Sequence, residues 1–229
     1  MSTPLKLVAI GAALLVVLAG GAVFMGGGAA RPTPTPSPSP SPVPLPDAVL
    51  EPGTYVAHPY PGNPLTWTIT VPAGWTGFQS YAVYTNVPDE TGVTLGGPTK
   101  LGIPADSCNA AGTAPATSVD DLIASVQARD DWIVSEPVAT TVSGYHGKRI
   151  DLELPSDVTV CGGDRQNYIV LVEGGSGTWH AQGPSNRFHL WALDVDGTTL
   201  TIMRNSFAES RPEWMTQSDE ILNSSVITP

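Results

Sequence analysis

The residues that could do chemistry are few, and most of them stand in patterns with a structural use. Asp120 and Asp121 form an adjacent carboxylate pair of the kind that general acid–base catalysis employs. They follow Ser118 and Val119 at the head of an apolar-periodic run, where acids face the positive end of a helix dipole, so the spacing assigns them to a first turn. Asp194-Val195-Asp196-Gly197 invites a calcium reading, but the further oxygen ligands and the distal glutamate of such a loop are missing. Asp-Gly between two apolar alternations is instead a hairpin turn. The four histidines, His58, His146, His180 and His189, share no metal-ligand spacing. No GxSxG elbow, HExxH pair, Walker-type phosphate loop or GxGxxG fingerprint occurs, and "EGGSGT" around Ser176 lacks the last glycine of an elbow. We therefore assign no catalytic residue, no metal and no cofactor. A hydrolase with its Ser, His and Asp drawn from distant segments is the alternative.

The tryptophans divide. Trp67, Trp132 and Trp191 fall at inward strand positions and belong to a core. Trp75 closes the "VPAGW" turn, and Trp179 stands beside His180 next to a glycine-rich segment. Aromatic rings at loop tips stack on sugars or peptides, so Trp75, Trp179 and His180 are the candidate binding residues. Their structural alternative is to act as lids over sheet ends.

Cys108 and Cys161 are the two cysteines. Two thiols cannot complete a structural zinc site and there is no CxxC, so in an exported domain the pair reads as a disulfide. Closing a loop of that length stabilises a fold by roughly 4 kcal/mol in the chain-entropy model.

What holds such a domain in place lies before it. Residues 7–25, "LVAIGAALLVVLAGGAVFM", carry no charge, and as a helix they would be ~28 Å long, close to the hydrocarbon thickness of a bilayer. We expect a single-pass anchor here, with residues 1–6 as a cytoplasmic stub; a cleaved signal peptide and a secreted product are the alternative. From Pro32 to Pro46 proline recurs at every second position, which removes alternate amide donors and favours extended polyproline II. Residues 26–46 thus form an extracytoplasmic Gly/Pro-rich spacer.

Residues 47–229 are the right length for one domain. They contain every acidic residue of the chain and all the basic ones except Lys6 and Arg31, so the domain is more acidic than the chain's net −11. Such a surface repels phosphate backbones, which excludes nucleic acid as a partner. The membrane is reached through the N-terminal helix alone, and the partner left to seek is an envelope protein, peptide or glycan.

Within this domain residues 66–75 alternate Trp67, Ile69 and Val71 with threonines, a half-buried strand. Residues 81–85 are expected to return antiparallel to it, with a short strand near 93–95. Residues 117–127 form a helix capped by Ser118, with Val119, Leu122, Ile123 and Val126 as its stripe. Strands at 132–142 and 148–154 are joined by a turn over 144–147, and 168–172 is another strand, followed by a flexible Gly/Ser segment over 174–177. Asp196-Gly197 as a two-residue turn sets Val195 opposite Thr198, Leu193 opposite Leu200, Trp191 opposite Ile202 and His189 opposite Arg204. Facing Arg204 disfavours a protonated His189. A last helix over 212–223, with Ser210 and Glu213 at capping-box spacing, covers one face of this hairpin, and 225–228 ends the chain as a strand. The fold class is α+β: a mainly antiparallel sheet with two helices packed on it, an α/β sandwich.

The stretches "VPAGW", "SVDDLIASV", "TVSGYHGKRIDLELP", "LWALDVDG" and "DEILNSSVITP" resemble a family of uncharacterised secreted or membrane-tethered domains of high-GC Gram-positive bacteria. The resemblance runs from about Trp67 to Pro229 and includes both cysteines. It implies an extracytoplasmic place and no activity, since the shared motifs are turns, caps and strands. The order of elements is similar to the PsbP-like α/β sandwich, an analogy of fold that implies no function. The expectation is a membrane-tethered extracytoplasmic binding or accessory module.

Overall fold

In the computed structural model the residues described are 41–59, 64–85, 91–96, 101–109, 111–154, 169–173, 177–181 and 185–229. The chain divides into two units, Met1–Pro38 and Ser39–Pro229. The first, which contains the expected anchor, lies outside the described residues, and among those described no helix is long and apolar enough to cross a membrane.

The second unit opens with β1 (Val43–Pro44), β2 (Gly53–Ala57), β3 (Thr66–Val71), β4 (Thr76–Phe78) and β5 (Ala82–Tyr84). Next come β6 (Gly92–Gly96), β7 (Leu101–Gly102), α1 (Val119–Gln127), β8 (Ile133–Val134), β9 (Val138–Val142) and β10 (Tyr145–Glu153). It ends with β11 (Ile169–Glu173), β12 (Gly177–His180), β13 (Arg187–Val195), β14 (Thr198–Ser206), α2 (Pro212–Asn223) and β15 (Val226–Thr228). The strands form three sheets: β1-β2-β3-β15, then β4-β5-β6-β14-β13-β10-β8 with β9 also on β10, and β12-β11-β7. Every pairing is antiparallel except β1 with β2. This is the expected α+β class.

The large sheet is covered on both faces because its central strands are apolar on both. On one face Trp191, Leu193, Val195, Leu200, Ile202, Val83 and Val93 meet Trp67, Ile69 and Val71 of the small first sheet, and Ile221 and Leu222 of α2. On the other, Ile150, Leu152, Phe188, Leu190, Ala192 and Met203 meet Leu122, Ile123 and Val126 of α1. Leu45 is buried in the first core, so the folded unit takes in the end of the proline-rich segment.

The β13–β14 hairpin has the expected register, with Val195 on Thr198 and His189 on Arg204. Asp196 and Gly197 have φ of 52° and 83°, which a type I′ turn requires, and Asp194 Oδ1 accepts from Gly197 N at 2.7 Å. That bond gives Asp194 its use. Ser118 caps α1, accepting from Asp121 N at 3.1 Å.

Four local expectations change. Residues 81–85 do not return on β3, which pairs with β2 and β15; β5 pairs instead with β4 and β6. The Gly74 turn, at φ 91°, sends the chain from the first sheet to the second. The strand expected over 132–142 breaks into β8 and β9 at Pro137, which lacks a ladder donor. The following turn is Ser143-Gly144, both at positive φ, so Tyr145, His146 and Gly147 already belong to β10. Finally, α2 has no capping box: Arg211 is its N-cap without a side-chain bond, Pro212 stands at its first turn, and Ser210 Oγ accepts from Phe207 N. Of the expected Gly/Ser segment, 174–176 lie outside the described residues and Gly177 begins β12.

Candidate functional site

Trp75 is not at an exposed tip. The backbone reversal at Gly74 turns it inward, where its ring is fully buried, edge-on to Trp214 at 6.1 Å, with Nε1 donating to Gln217 Oε1 at 2.8 Å. It pins α2 to the first core and offers no face to a ligand. Trp179 is half-buried on β12 against the second core, and His180, next along the same strand, is exposed. The fold therefore brings Trp179 and His180 to one strand and puts Trp75 in the opposite core.

Trp179 has company that the sequence did not announce. Its ring lies 6.4 Å from that of Tyr81 at an interplanar angle of 28°. Tyr81 in turn meets Phe78 edge-on at 6.0 Å, and Phe78 meets Tyr84 at 6.0 Å. Phe78 and Tyr84 share a face of the β4–β5 hairpin because Phe78 pairs with Ala82, two residues before Tyr84. That face is an extension of the one α1 covers, since Ala82 pairs with Thr94 and Thr94 with Met203. The cover ends before the sheet does. Phe78 is 40% exposed, and Tyr81, Tyr84 and Trp179 are half-buried.

The strip is held firmly. Gln79 and Ser80, at φ 46° and 62°, make the β4–β5 turn. Gln79 N donates to Asp47, His58 N to the Ser80 carbonyl at 2.7 Å, and Tyr81 OH to Gln79 Oε1 at 3.0 Å. The sequence carried a signal for it in "FQSYAVY", three rings within seven residues. What it lacked was Trp179, nearly a hundred residues later.

A second cluster lies on the opposite face of the large sheet. Pairing of β10, β13 and β14 lines up Asp151, His189 and Arg204 in one row, with Arg149 and Trp191 in the next. His189 Nδ1 donates to Asp151 Oδ1 at 2.6 Å, which leaves Nε2 as the acceptor. Arg149 lies 3.3 Å from the same carboxylate, and Arg204 reaches across to Asp219 of α2 while stacking on Trp191 at 5.9 Å. Burial and the charge of Arg204 hold His189 below its ordinary value, outweighing the opposing pull of Asp151. Burial likewise lowers the Arg204 guanidinium, with Asp219 and Asp151 opposing. The Nε atom of Arg204 is buried without a hydrogen-bond partner among the described residues, whereas that of Arg149 faces the Asp151 carboxylate. An orphaned donor of this kind makes the cluster costly, while the Arg204–Asp219 pair ties α2 to the sheet.

Asp151 and His189 also line a groove of about 260 Å³ together with Ser135. The order across the sheet is Ser135, Asp151, His189, so the carboxylate separates the hydroxyl from the imidazole. Ser135 Oγ accepts from Asp151 N at 3.0 Å and donates to the Glu136 carbonyl at 3.1 Å. Asp120, of the adjacent carboxylate pair, is exposed and bonded to Lys148 Nζ at 2.7 Å. Among the described residues no group of three or more His, Cys, Asp or Glu could hold a metal ion.

Cys108 is disulfide-bonded, and a buried network steadies the segment before it. Arg129 bonds Asp131 through Nε at 2.7 Å, the Pro104 carbonyl at 2.9 Å and the Ser107 hydroxyl. Cys161, the expected partner of Cys108, lies outside the described residues.

No protein-family model matches the chain, and no curated protein matches it. A solved structure similar to it is that of LpqN, involved in cell envelope biogenesis of Mycobacterium tuberculosis. The two share 10% identity at a TM-score of 0.41, covering 77% of this chain and 91% of that one. A likeness at that level transfers no function.

Proposed function

We propose that the chain is a membrane-tethered extracytoplasmic binding or accessory module, set off from the bilayer by its proline-rich spacer. The observation that carries this reading is the aromatic strip of Phe78, Tyr81, Tyr84 and Trp179, partly exposed and fixed by a pinned turn. Rings held in place before contact lose little conformational freedom on binding, which is what a recognition surface needs. The apolar run over residues 7–25 and the disulfide at Cys108 support the placement outside the membrane.

The test is retention of the full-length chain on washed envelope fragments. Phe78→Ala and Tyr81→Ala should each reduce the retained fraction while leaving the fold intact by circular dichroism. Equal retention of all three proteins would remove the strip from the reading.

A second reading, an envelope hydrolase, draws on the Asp151–His189 pair beside Ser135. Among the described residues no hydroxyl is bonded to the imidazole, and Ser135 is engaged by backbone on the near side of Asp151. Labelling of Ser135 by a fluorophosphonate, abolished in His189→Asn, would favour this reading over ours. We expect no such labelling.

A further inference from the structure

We infer that β9 is the edge through which two copies of this chain join, strand to strand, about a two-fold axis at Thr140. This goes beyond the binding reading and rests on it only for the tether that keeps the copies in one plane.

Strand pairing decides which backbone groups of β9 are free. Ser143 and Gly144 form a two-residue turn at positive φ, so Val142 and Tyr145 are the hydrogen-bonded pair that closes it. Alternation then turns the amides and carbonyls of Val142, Thr140 and Val138 toward β10. Those of Ala139 and Thr141 point the other way, and β10 is the one strand that β9 pairs with among the described residues. Ala139 and Thr141 are both exposed, and Val138 is 46% exposed.

The molecule covers other strand edges with its own chain. At the far end of the large sheet, Leu50 N donates to the Trp75 carbonyl at 2.8 Å and Gly77 N to the Ala48 carbonyl at 2.9 Å, so residues 48–50 lie along β4. On β15 the Ile227 amide donates to Ser143 Oγ at 2.8 Å. No such cover lies on β9 among the described residues, and the strand has none of the features that discourage pairing. It contains no charge and no proline, and four of its five residues are β-branched. From residue 132 to 147 Glu136 is the only acid, in a domain that is otherwise acidic. Two such domains can meet here without setting like charges opposite each other.

This edge is complementary to itself. Antiparallel pairing about Thr140 sets Ala139 opposite Thr141 of the second copy, each offering a donor and an acceptor. Pro137, without a donor, and Ser143, in the turn, end the ladder on either side. Between them the exposed Val138 meets Val142 of the second copy, and Thr140 meets its own counterpart. The interface is isologous, as a closed dimer requires.

The tether selects a second copy over a free peptide. The axis that relates two antiparallel strands is normal to their sheet. The first sheet, with β1 at the end of the spacer, packs on one face of the large sheet, so both spacers leave on the same side. Two chains anchored in one membrane need that arrangement. A ladder this short buries less than the ~1,200 Å² of a stable interface, and confinement to a plane offsets this by raising the effective concentration.

The experiment places the full-length Thr140→Cys chain in phosphatidylcholine vesicles and oxidises it with copper phenanthroline. Residues opposed at a non-hydrogen-bonded pair have Cα atoms ~4.5 Å apart, within disulfide reach. Val138→Cys, on the same strand, would stand roughly 13 Å along the strand from its counterpart and serves as the collision control. Thr140→Cys should give at least about fivefold more crosslinked dimer than Val138→Cys alone, and Val138→Cys mixed with Val142→Cys should match it. Ala139→Pro removes an outward donor, leaves the β10 ladder whole, and should bring the Thr140→Cys product down to the control level. Thr141→Pro removes the other outward donor and replaces it if Ala139→Pro does not melt as the parent does.

Equal products from Thr140→Cys and Val138→Cys, or no product from either, overturn the dimer. So does a Thr140→Cys product that survives the proline variant in folded protein. The same oxidation in cells exporting the chain tests the occupant: a product whose mass is not twice that of the chain gives the edge to another partner and overturns the second copy. Flotation of the vesicles reports the tether separately. If the chain does not float, the tether reading fails, and the same comparison in solution at ~1 mM decides the dimer.

Discussion

His189 shows how a single residue takes its character from neighbours brought to it by strand pairing. Burial and Arg204 lower its pKa, Asp151 opposes them, and Arg149 adds a further cation. Because the folded value lies below the unfolded one of about 6.5, the unfolded chain takes up the proton first as pH falls. The contribution of this group is therefore fully present above about pH 6.5 and is lost as pH drops through the folded value. Urea melts of the wild type and of His189→Gln across that window should differ in slope by up to about one proton, with the variant flatter. Parallel pH curves would show that the imidazole is not held neutral by the fold.

At the scale of elements, two glycines near one turn should behave in opposite ways. Gly144, at φ 84°, has nothing within 4 Å of where a Cβ would stand. Gly144→Ala thus meets only backbone strain, about 1–2 kcal/mol. Gly147 lies within β10, and a Cβ there would overlap the carbonyl oxygen of Ala192 on β13. That carbonyl faces β10 within the β10–β13 ladder and cannot withdraw without opening it. Gly147→Ala should therefore cost on the order of 3 kcal/mol, read by chemical denaturation. The reverse order of these two variants would mean that the β10–β13 register is misplaced. In the sequence both glycines look alike, as the ends of one turn; pairing with β13 separates them.

For the whole molecule the prediction is one of topology. From a spanning-length apolar run, an alternating-proline spacer and an acidic domain containing two cysteines, we predict that residues 47–229 stand outside the membrane with the amino terminus inside. Protease added to intact protoplasts should degrade the domain, and the exported chain should be two hydrogens lighter than its reduced form. Full protection of the domain would invert the topology. Two alkylatable thiols in native material would deny the Cys108–Cys161 pairing. Mature protein beginning near Arg31 in the medium would choose the secreted alternative.

Sequence alone determined what depends on neighbours along the chain. Asp196-Gly197 suits a type I′ turn, and once that turn is set, the period-two alternation places every pair of β13–β14 up to His189 on Arg204. The cap and stripe of α1 are legible for the same reason, since three- and four-residue spacing makes a helix face. The core places of Trp67 and Trp191 follow from alternation as well, whereas Trp132 is buried on the bend before β8. Tertiary structure decided what depends on distance. Trp75 could be read as a loop tip until α2, some 140 positions later, came to lie over it and supplied Gln217. Residues 81–85 read as a strand returning on 66–75 until β5 paired with β4 and Tyr81 met Trp179, and His189 was a core-edge histidine until Asp151 met it across the β10–β13 pairing. Local geometry is written in covalent spacing, whereas a site assembled from separate strands exists only once hydrophobic burial has chosen which faces meet.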